Sequence, residues 1–288
     1  MTAIALTIAG SDSSGGAGVQ ADLKTFAALG VYGASAITAL TAQNTQGVSG
    51  IHNVPPDFVA RQIDAVFADL AVGAVKIGML SQAATVAAVA AALDRHQARN
   101  IVLDPVMVAS SGAKLLADDA IEILRRDLIH RARIITPNLP ETALLLGTAP
   151  ARDEAEMATQ ARALIARFEA QAVLIKGGHG EGADSVDLLV EPGGVTRFAA
   201  QRIATRNNHG TGCTLSSAIA AGLAKGLDLA AAVDAAKAYV TAAIAGADAL
   251  AVGHGHGPLH HFVKQAHDPE KWKPVFGQDH APTKGSST

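Results

Sequence analysis

Ala3-Ile4-Ala5-Leu6-Thr7-Ile8-Ala9 runs directly into Gly10-Ser11-Asp12-Ser13-Ser14-Gly15-Gly16-Ala17-Gly18, and a helical pattern follows over Gln20–Ala28. An apolar run of strand length, a glycine-rich polar loop and an amphipathic stretch make one β-loop-α unit. The unit recurs along the chain. Strands are predicted at Gly33–Leu40, Ala74–Ile77, Ile101–Asp104, Arg133–Thr136 and Ala172–Lys176, with helices at Pro56–Leu70, Gln82–His96, Asp118–Ile129, Glu141–Leu146 and Asp153–Glu169. This alternation predicts an α/β fold: a doubly wound, mostly parallel central sheet with helices on both faces. Ser185–Val190 and Val195–Ala199 flank Glu191-Pro192-Gly193-Gly194, which reads as a late β-hairpin at the sheet edge. Two helices, Thr214–Lys225 and Ala230–Leu250, complete the pattern. No repeat or linker divides the chain, so residues 1–266 are expected to form a single domain and residues 267–288 a polar C-terminal tail.

Composition narrows the function classes. The chain has 288 residues, 49% hydrophobic but only 3% aromatic, a balance that suits helices packed on a parallel sheet. A formal charge of −3 leaves no electrostatic footprint for nucleic acid. One cysteine excludes an internal disulfide and fits a reducing compartment. Apolar runs broken by charge or glycine predict no membrane-spanning helix, and Met1-Thr2-Ala3-Ile4 lacks the basic start of a signal peptide. The expectation is a soluble cytoplasmic protein.

The segment Thr205-Arg206-Asn207-Asn208-His209-Gly210-Thr211-Gly212-Cys213-Thr214 is a polar glycine loop that feeds the apolar run Leu215–Leu223. Free N–H groups at a helix N-terminus favour an anion, and Gly210 and Gly212 allow close backbone approach. Cys213 sits where a helix dipole would stabilise a thiolate, although an isolated cysteine is as often a small buried residue.

In an open parallel sheet, ligands gather at the carboxyl ends of the strands. Those ends carry Asp104-Pro105, Asn138 and Glu141 after Thr136-Pro137, and Lys176-Gly177-Gly178. A single acid at a strand end usually caps a helix. Two carboxylates, an amide, an ammonium and an anion-binding turn on one edge point to a shared site. Gly16-x-Gly18-x-x-Ala21 matches a loose dinucleotide fingerprint, but Gly33 to Gln43 contains no acid for a ribose, and no glycine-lysine-Ser/Thr follows for a Walker loop. His254, His256, His260 and His261 lack the spacing of a zinc site and read as solvent-facing residues of a glycine-proline turn. Gln43-Asn44-Thr45-Gln46 is either simple turn chemistry or a donor–acceptor pair for a heteroaromatic ring. Met79 is either its apolar wall or an ordinary core residue.

Seven segments in order resemble one family: Ala9–Gly18, Thr38–Thr45, Lys76–Leu80, Leu103–Val108, Thr136–Glu141, Val173–His179 and His209–Thr214. The chain resembles a hydroxymethylpyrimidine/phosphomethylpyrimidine kinase of thiamine biosynthesis, in the ribokinase-like superfamily. That resemblance implies two successive phosphoryl transfers from Mg-ATP, to 4-amino-5-hydroxymethyl-2-methylpyrimidine and then to its monophosphate. It implies that Cys213, Lys176, Gly210 and Gly212 carry catalysis and that Gln43 reads the pyrimidine, with Gly10, Asp22, Met79 and Val106 around the ring. ATP would meet Asp104, Asn138, Lys176, His209 and Thr211, and Asp104 and Glu141 would hold Mg²⁺. A homodimer is also implied. The departures are Ser110, in a flap over Val106–Lys114 where relatives often carry Lys, and Asn208, where Thr or Ser is more usual. A pyridoxine or pyridoxal kinase is the neighbouring alternative. A non-catalytic pyrimidine-binding protein is the alternative of another class.

Overall fold

The computed structural model describes residues 1–107, 116–178 and 182–263. Ser110 with most of the flap, His179 and the 267–288 tail lie outside the described residues. The opening stretch forms β1 (Ile4–Ala9) and α1 (Gly18–Ala28). Then come β2 (Tyr32–Ile37), β3 (Ala39–Asn44), β4 (Gly47–Asn53), α2 (Pro56–Asp69), β5 (Ala74–Ile77), α3 (Ala83–Arg95) and β6 (Ile101–Leu103). They are followed by α4 (Asp118–Asp127), β7 (Ile134–Ile135), α5 (Leu139–Leu146), α6 (Glu154–Phe168), β8 (Val173–Lys176), β9 (Asp184–Glu191), β10 (Gly194–Gln201), α7 (Thr211–Ala224) and α8 (Leu229–Ala245).

Eight strands pair in the order β10-β9-β8-β7-β6-β5-β1-β2. Strands from β2 to β8 in that order run parallel, while β9 and β10 form the antiparallel hairpin at the edge. The expected doubly wound sheet is therefore the observed one. Period-two alternation distributes each strand between two cores. Leu6, Ile8, Val75, Ile77, Ile101 and Leu103 face the core beneath α2 to α6. Ala5, Ala74, Val102, Ile134, Leu174 and Leu189 face α1, α7 and α8. The chain leaves β1 for β2 on one side and returns to β5 on the other, so a crevice opens between the carboxyl ends of β1 and β5.

Three expectations need correction. Gly33–Leu40 is not one strand: Thr38 turns the chain, its N–H donating to Ala9 O and its hydroxyl to Met79 O at 2.7 Å. Beyond Thr38 the chain forms a separate hairpin of β3 and β4, unexpected because the largely exposed β4, with glycine at positions 47 and 50, carries no clear apolar alternation. Secondly, every apolar run is expected to be too short to cross a membrane, but among the described residues one segment, Leu229–Ala249, is long and apolar enough by length and composition. Its face at Ala232, Val233, Ala236, Tyr239, Val240 and Ala243 is buried in the core instead. Thirdly, His261 does not face solvent: it is buried against Thr214 Oγ1 at 3.1 Å, and desolvation pushes its imidazole down to about 4.

Candidate active site

Helix α7 begins at Thr211, three residues before the predicted start at Thr214, because Gly210 takes the left-handed conformation (φ 85°) as its N-cap. A side chain at Gly210 would also collide with the carbonyl oxygen of Gly16. Glycine is therefore required twice over, and the two glycine loops lock together. Gly212 and Cys213 fall in the first helical turn, where N–H groups have no intrahelical partner. Thr211 turns its hydroxyl back to Asn208 O at 2.7 Å, closing the loop.

Lys176 lies beneath this turn. Its Nζ is 2.7 Å from Asp104 Oδ1 and 3.9 Å from Glu141 Oε2. A Cβ on Gly212 would stand 3.2 Å from Lys176 Nζ and 3.5 Å from Asp104 Oδ2. Asp104 is 1% exposed and is also approached by Thr136 Oγ1 at 3.2 Å and Ser216 Oγ at 3.4 Å. Asn138 and Glu141 form a capping box at the start of α5, each side chain taking the other's backbone N–H at 2.8 Å. Burial pushes the Glu141 carboxyl up to about 7; the Lys176 charge opposes this and Asp104 adds to it. Burial would lower the Lys176 ammonium, but Asp104 and Glu141 outweigh it and hold the pKa raised.

Cys213 corrects the expectation of an acidified thiol. Burial pushes it up to about 11, helped by Asp22 and Asp104, while the Lys76 charge and a Gly18 backbone hydrogen bond pull only partly the other way.

The crevice between β1 and β5 brings together Gly10 and Met79, since a Cβ on Gly10 would overlap the Met79 methyl. Val106, half-buried, follows the carboxyl end of β6. Asp22 is elsewhere. It is fully buried, with both oxygens on Lys76 Nζ at 2.9 and 2.8 Å, Thr7 Oγ1 at 2.6 Å and Ser217 Oγ at 2.7 Å. Its acceptors are occupied by the protein. Lys76 escaped the sequence reading, although a lysine inside an apolar strand was the signal for a buried counter-charge.

Gln43 lies at a register shift in β3, which re-aims its side chain. Ser13 Oγ ties it to the β1 loop, accepting from Gln43 N at 2.9 Å and donating to Gln43 O at 2.8 Å. At the hairpin tip, Thr45 accepts from Gly255 N at 3.1 Å and His256 N at 3.0 Å. His209 does not turn toward the Lys176 cluster: its Nε2 is 2.8 Å from Asp12 Oδ2 and 3.3 Å from the Gln43 amide. Asp12 was also missed. Burial would raise its carboxyl, but hydrogen bonds from His209 and Ser14 bring it down to about 2. An Asp among glycines that caps its own loop gives no local sign of a partner so distant in the sequence.

Among the described residues, no group of three His, Cys, Asp or Glu side chains could by itself hold a metal ion. Asp104 and Glu141 nevertheless offer hard carboxylate oxygens with a single ammonium between them, which fits Mg²⁺ held through its waters and a phosphate.

The sequence profile of phosphomethylpyrimidine kinase matches residues 12–260. A hydroxymethylpyrimidine/phosphomethylpyrimidine kinase of Rhizobium meliloti is 60% identical over 91% of this chain and 98% of its own. The structure is similar to that of a pyridoxal kinase of Bacillus subtilis in an ADP complex (TM-score 0.85, 35% identity, 92% of this chain and 99% of that one). It is also similar to a phosphomethylpyrimidine kinase of Clostridium difficile (TM-score 0.74, 42% identity, 83% and 97%). The chain belongs to the phosphomethylpyrimidine kinase family.

Proposed function

We propose that the protein is an ATP-dependent kinase that phosphorylates 4-amino-5-hydroxymethyl-2-methylpyrimidine and then its monophosphate, in thiamine biosynthesis. The observation that carries this reading is one edge of the sheet holding both halves of the chemistry. A phosphate turn stands over the Lys176–Asp104 pair, and beside it Gln43 reaches the His209 that begins the same turn. In this reading the ring lies between Gly10, Met79 and Val106, with Gln43 on its edge.

Phosphoryl transfer needs positioning and neutralisation of charge on the equatorial oxygens. The N–H groups at Gly212 and Cys213 receive the transferring group, and Lys176 supplies the fixed positive charge. Asn138 orients Glu141 through the capping box, and Thr211 shapes the turn. Mg²⁺, held by Asp104 and Glu141 through waters, would screen the charge of the triphosphate. Cys213 faces the hydroxymethyl group as a thiol. With its pKa about 11 the thiolate is scarce at neutral pH, so the thiol orients the hydroxyl, whose proton passes late to an oxygen of the transferred phosphoryl group as the bond to ADP breaks. A loose transition state asks for little more.

We further propose that residues 1–266 act as one kinase unit in the cytoplasm and that the chain forms a homodimer. Leu40, Ile51 and Phe58 are 47%, 40% and 48% exposed, and β2 is an open sheet edge. A second copy would cover these side chains.

Release of ADP with each candidate alcohol tests the function. Hydroxymethylpyrimidine and its monophosphate should both be turned over, with kcat/KM at least about 10²-fold above pyridoxal, because a site that pairs with ring nitrogens rejects rings that leave it unpaired. Preference for pyridoxal would assign the chain to the neighbouring activity. Binding without ADP release would make it a pyrimidine carrier.

A further inference from the structure

Asp12 Oδ2 is approached by three donors. The backbone N–H groups of Gly16 and Ala17 are 3.1 and 2.8 Å away, and His209 Nε2 is 2.8 Å away. A carboxylate only accepts, so His209 Nε2 carries a hydrogen. That nitrogen also stands 3.3 Å from the end of the Gln43 amide placed as Nε2, while the end placed as Oε1 faces Thr41. An N–H cannot accept from an NH₂ group, so the amide atom facing it must be oxygen; amide orientation is decided by such networks. The opposite end requires the same answer. Thr41 Oγ1 is 2.8 Å from Ser11 O and 3.1 Å from the other end of the Gln43 amide. The hydroxyl hydrogen goes mainly to the nearer oxygen, that of Ser11, as the His209 hydrogen goes mainly to Asp12. With it given to Ser11 O, Thr41 must accept from Gln43 Nε2.

We infer that Asp12 and His209 are positioning residues for ring recognition: by fixing the Nε2–H tautomer of His209, they lock the Gln43 amide with its oxygen toward the histidine and its nitrogen toward Thr41. Gln43 then presents its remaining N–H and lone pair in one fixed sense. The ligand class this selects is a heteroaromatic ring with an amino group next to a ring nitrogen. The opposite sense would set donor against donor. The histidine is held rigidly for the task. Its backbone N–H donates to Gly257 O at 3.0 Å, and its ring packs so closely on Gly16 that a Cβ there would be 2.5 Å from Cδ2. The inference rests on the proposed reading that Gln43 faces the pyrimidine.

Nitrogen-15 NMR of the full-length wild-type protein should place the His209 hydrogen on Nε2. His209→Phe, which keeps a ring and loses the donor, should raise pyrimidine KM about 5- to 150-fold while leaving ATP KM unchanged. His209→Gln, which restores a donor, should recover most of that loss. Two results overturn the inference: a hydrogen on Nδ1 with Nε2 bare, or unchanged pyrimidine KM in His209→Phe while Gln43→Met raises it. If Gln43→Met leaves pyrimidine KM unchanged, the ring reading itself fails and the inference falls with it.

Discussion

Lys176 Nζ stands 2.7 Å from Asp104 Oδ1, directly under the first turn of α7. The pair is an ammonium already desolvated and aimed, so it need not reorganise when a phosphoryl group arrives. Lys176→Met should therefore lower kcat about 10²- to 10³-fold, the loss expected for one preorganised charge donor. Steady-state ADP release, with thermal unfolding to confirm the fold, measures this. A kcat near wild type would remove Lys176 from the chemistry.

Glu141 gives the protein a pH-dependent stability. Its carboxyl binds a proton more tightly folded, at about 7, than at its ordinary 4.5, because burial disfavours the anion. Between those values the folded state holds more protons, so this contribution is complete below 4.5 and is lost as pH rises through 7. Glu141→Gln keeps a side chain that can complete the capping box and should flatten the dependence. Urea midpoints across this pH range measure it; superimposed curves for the two proteins would contradict it.

Cys213 should behave as a protected thiol. In the free protein, iodoacetamide inactivation should be slow at neutral pH and rise without a plateau until about pH 11. Cys213→Ala should lower kcat about 10²-fold, the loss expected when a reacting group is misplaced, with pyrimidine binding retained. A reactivity plateau below pH 8 would mean that the helix terminus dominates after all.

Lys76 and Asp22 are both fully buried and satisfy each other. Lys76→Met leaves an uncompensated carboxylate and should cost about 3–5 kcal/mol of stability. Adding Asp22→Leu should recover much of it, so the two effects should be strongly non-additive in denaturant titrations. Simple additivity would show that the pair is not coupled.

Leu40→Glu with Ile51→Glu places charge on both faces of the β3–β4 hairpin and should yield monomers by light scattering, with the far-ultraviolet spectrum preserved. Wild-type protein that is itself monomeric at micromolar concentration would refute the dimer.

The parallel sheet was legible because its rule is local: buried strands such as Ile101–Leu103 and Val173–Ile175 are continuous apolar runs between helical patterns. The β3–β4 hairpin was not, because Leu40 and Ile51 are exposed and the apolar pattern says nothing about their pairing. The same divide runs through the site. Asp104, Asn138, Glu141 and Lys176 were visible because each follows a predicted strand. The thiol's pKa was misjudged because a helix terminus can be read from sequence and burial cannot. The Asp12–His209–Gln43 network was invisible, since it depends on tertiary approach of three loops.

Asp12 and His209 are 197 positions apart, and the interlock of Gly16 with Gly210 joins the same two loops. The nucleotide turn thus acquires its shape only when the last part of the chain docks on the first. A nascent chain on the ribosome carries every carboxylate and lysine of the site long before it carries the turn, and closing so long a loop must await the rest of the sheet. Catalytic competence must wait for α7, and a product truncated before Gly210 is left without its phosphate turn.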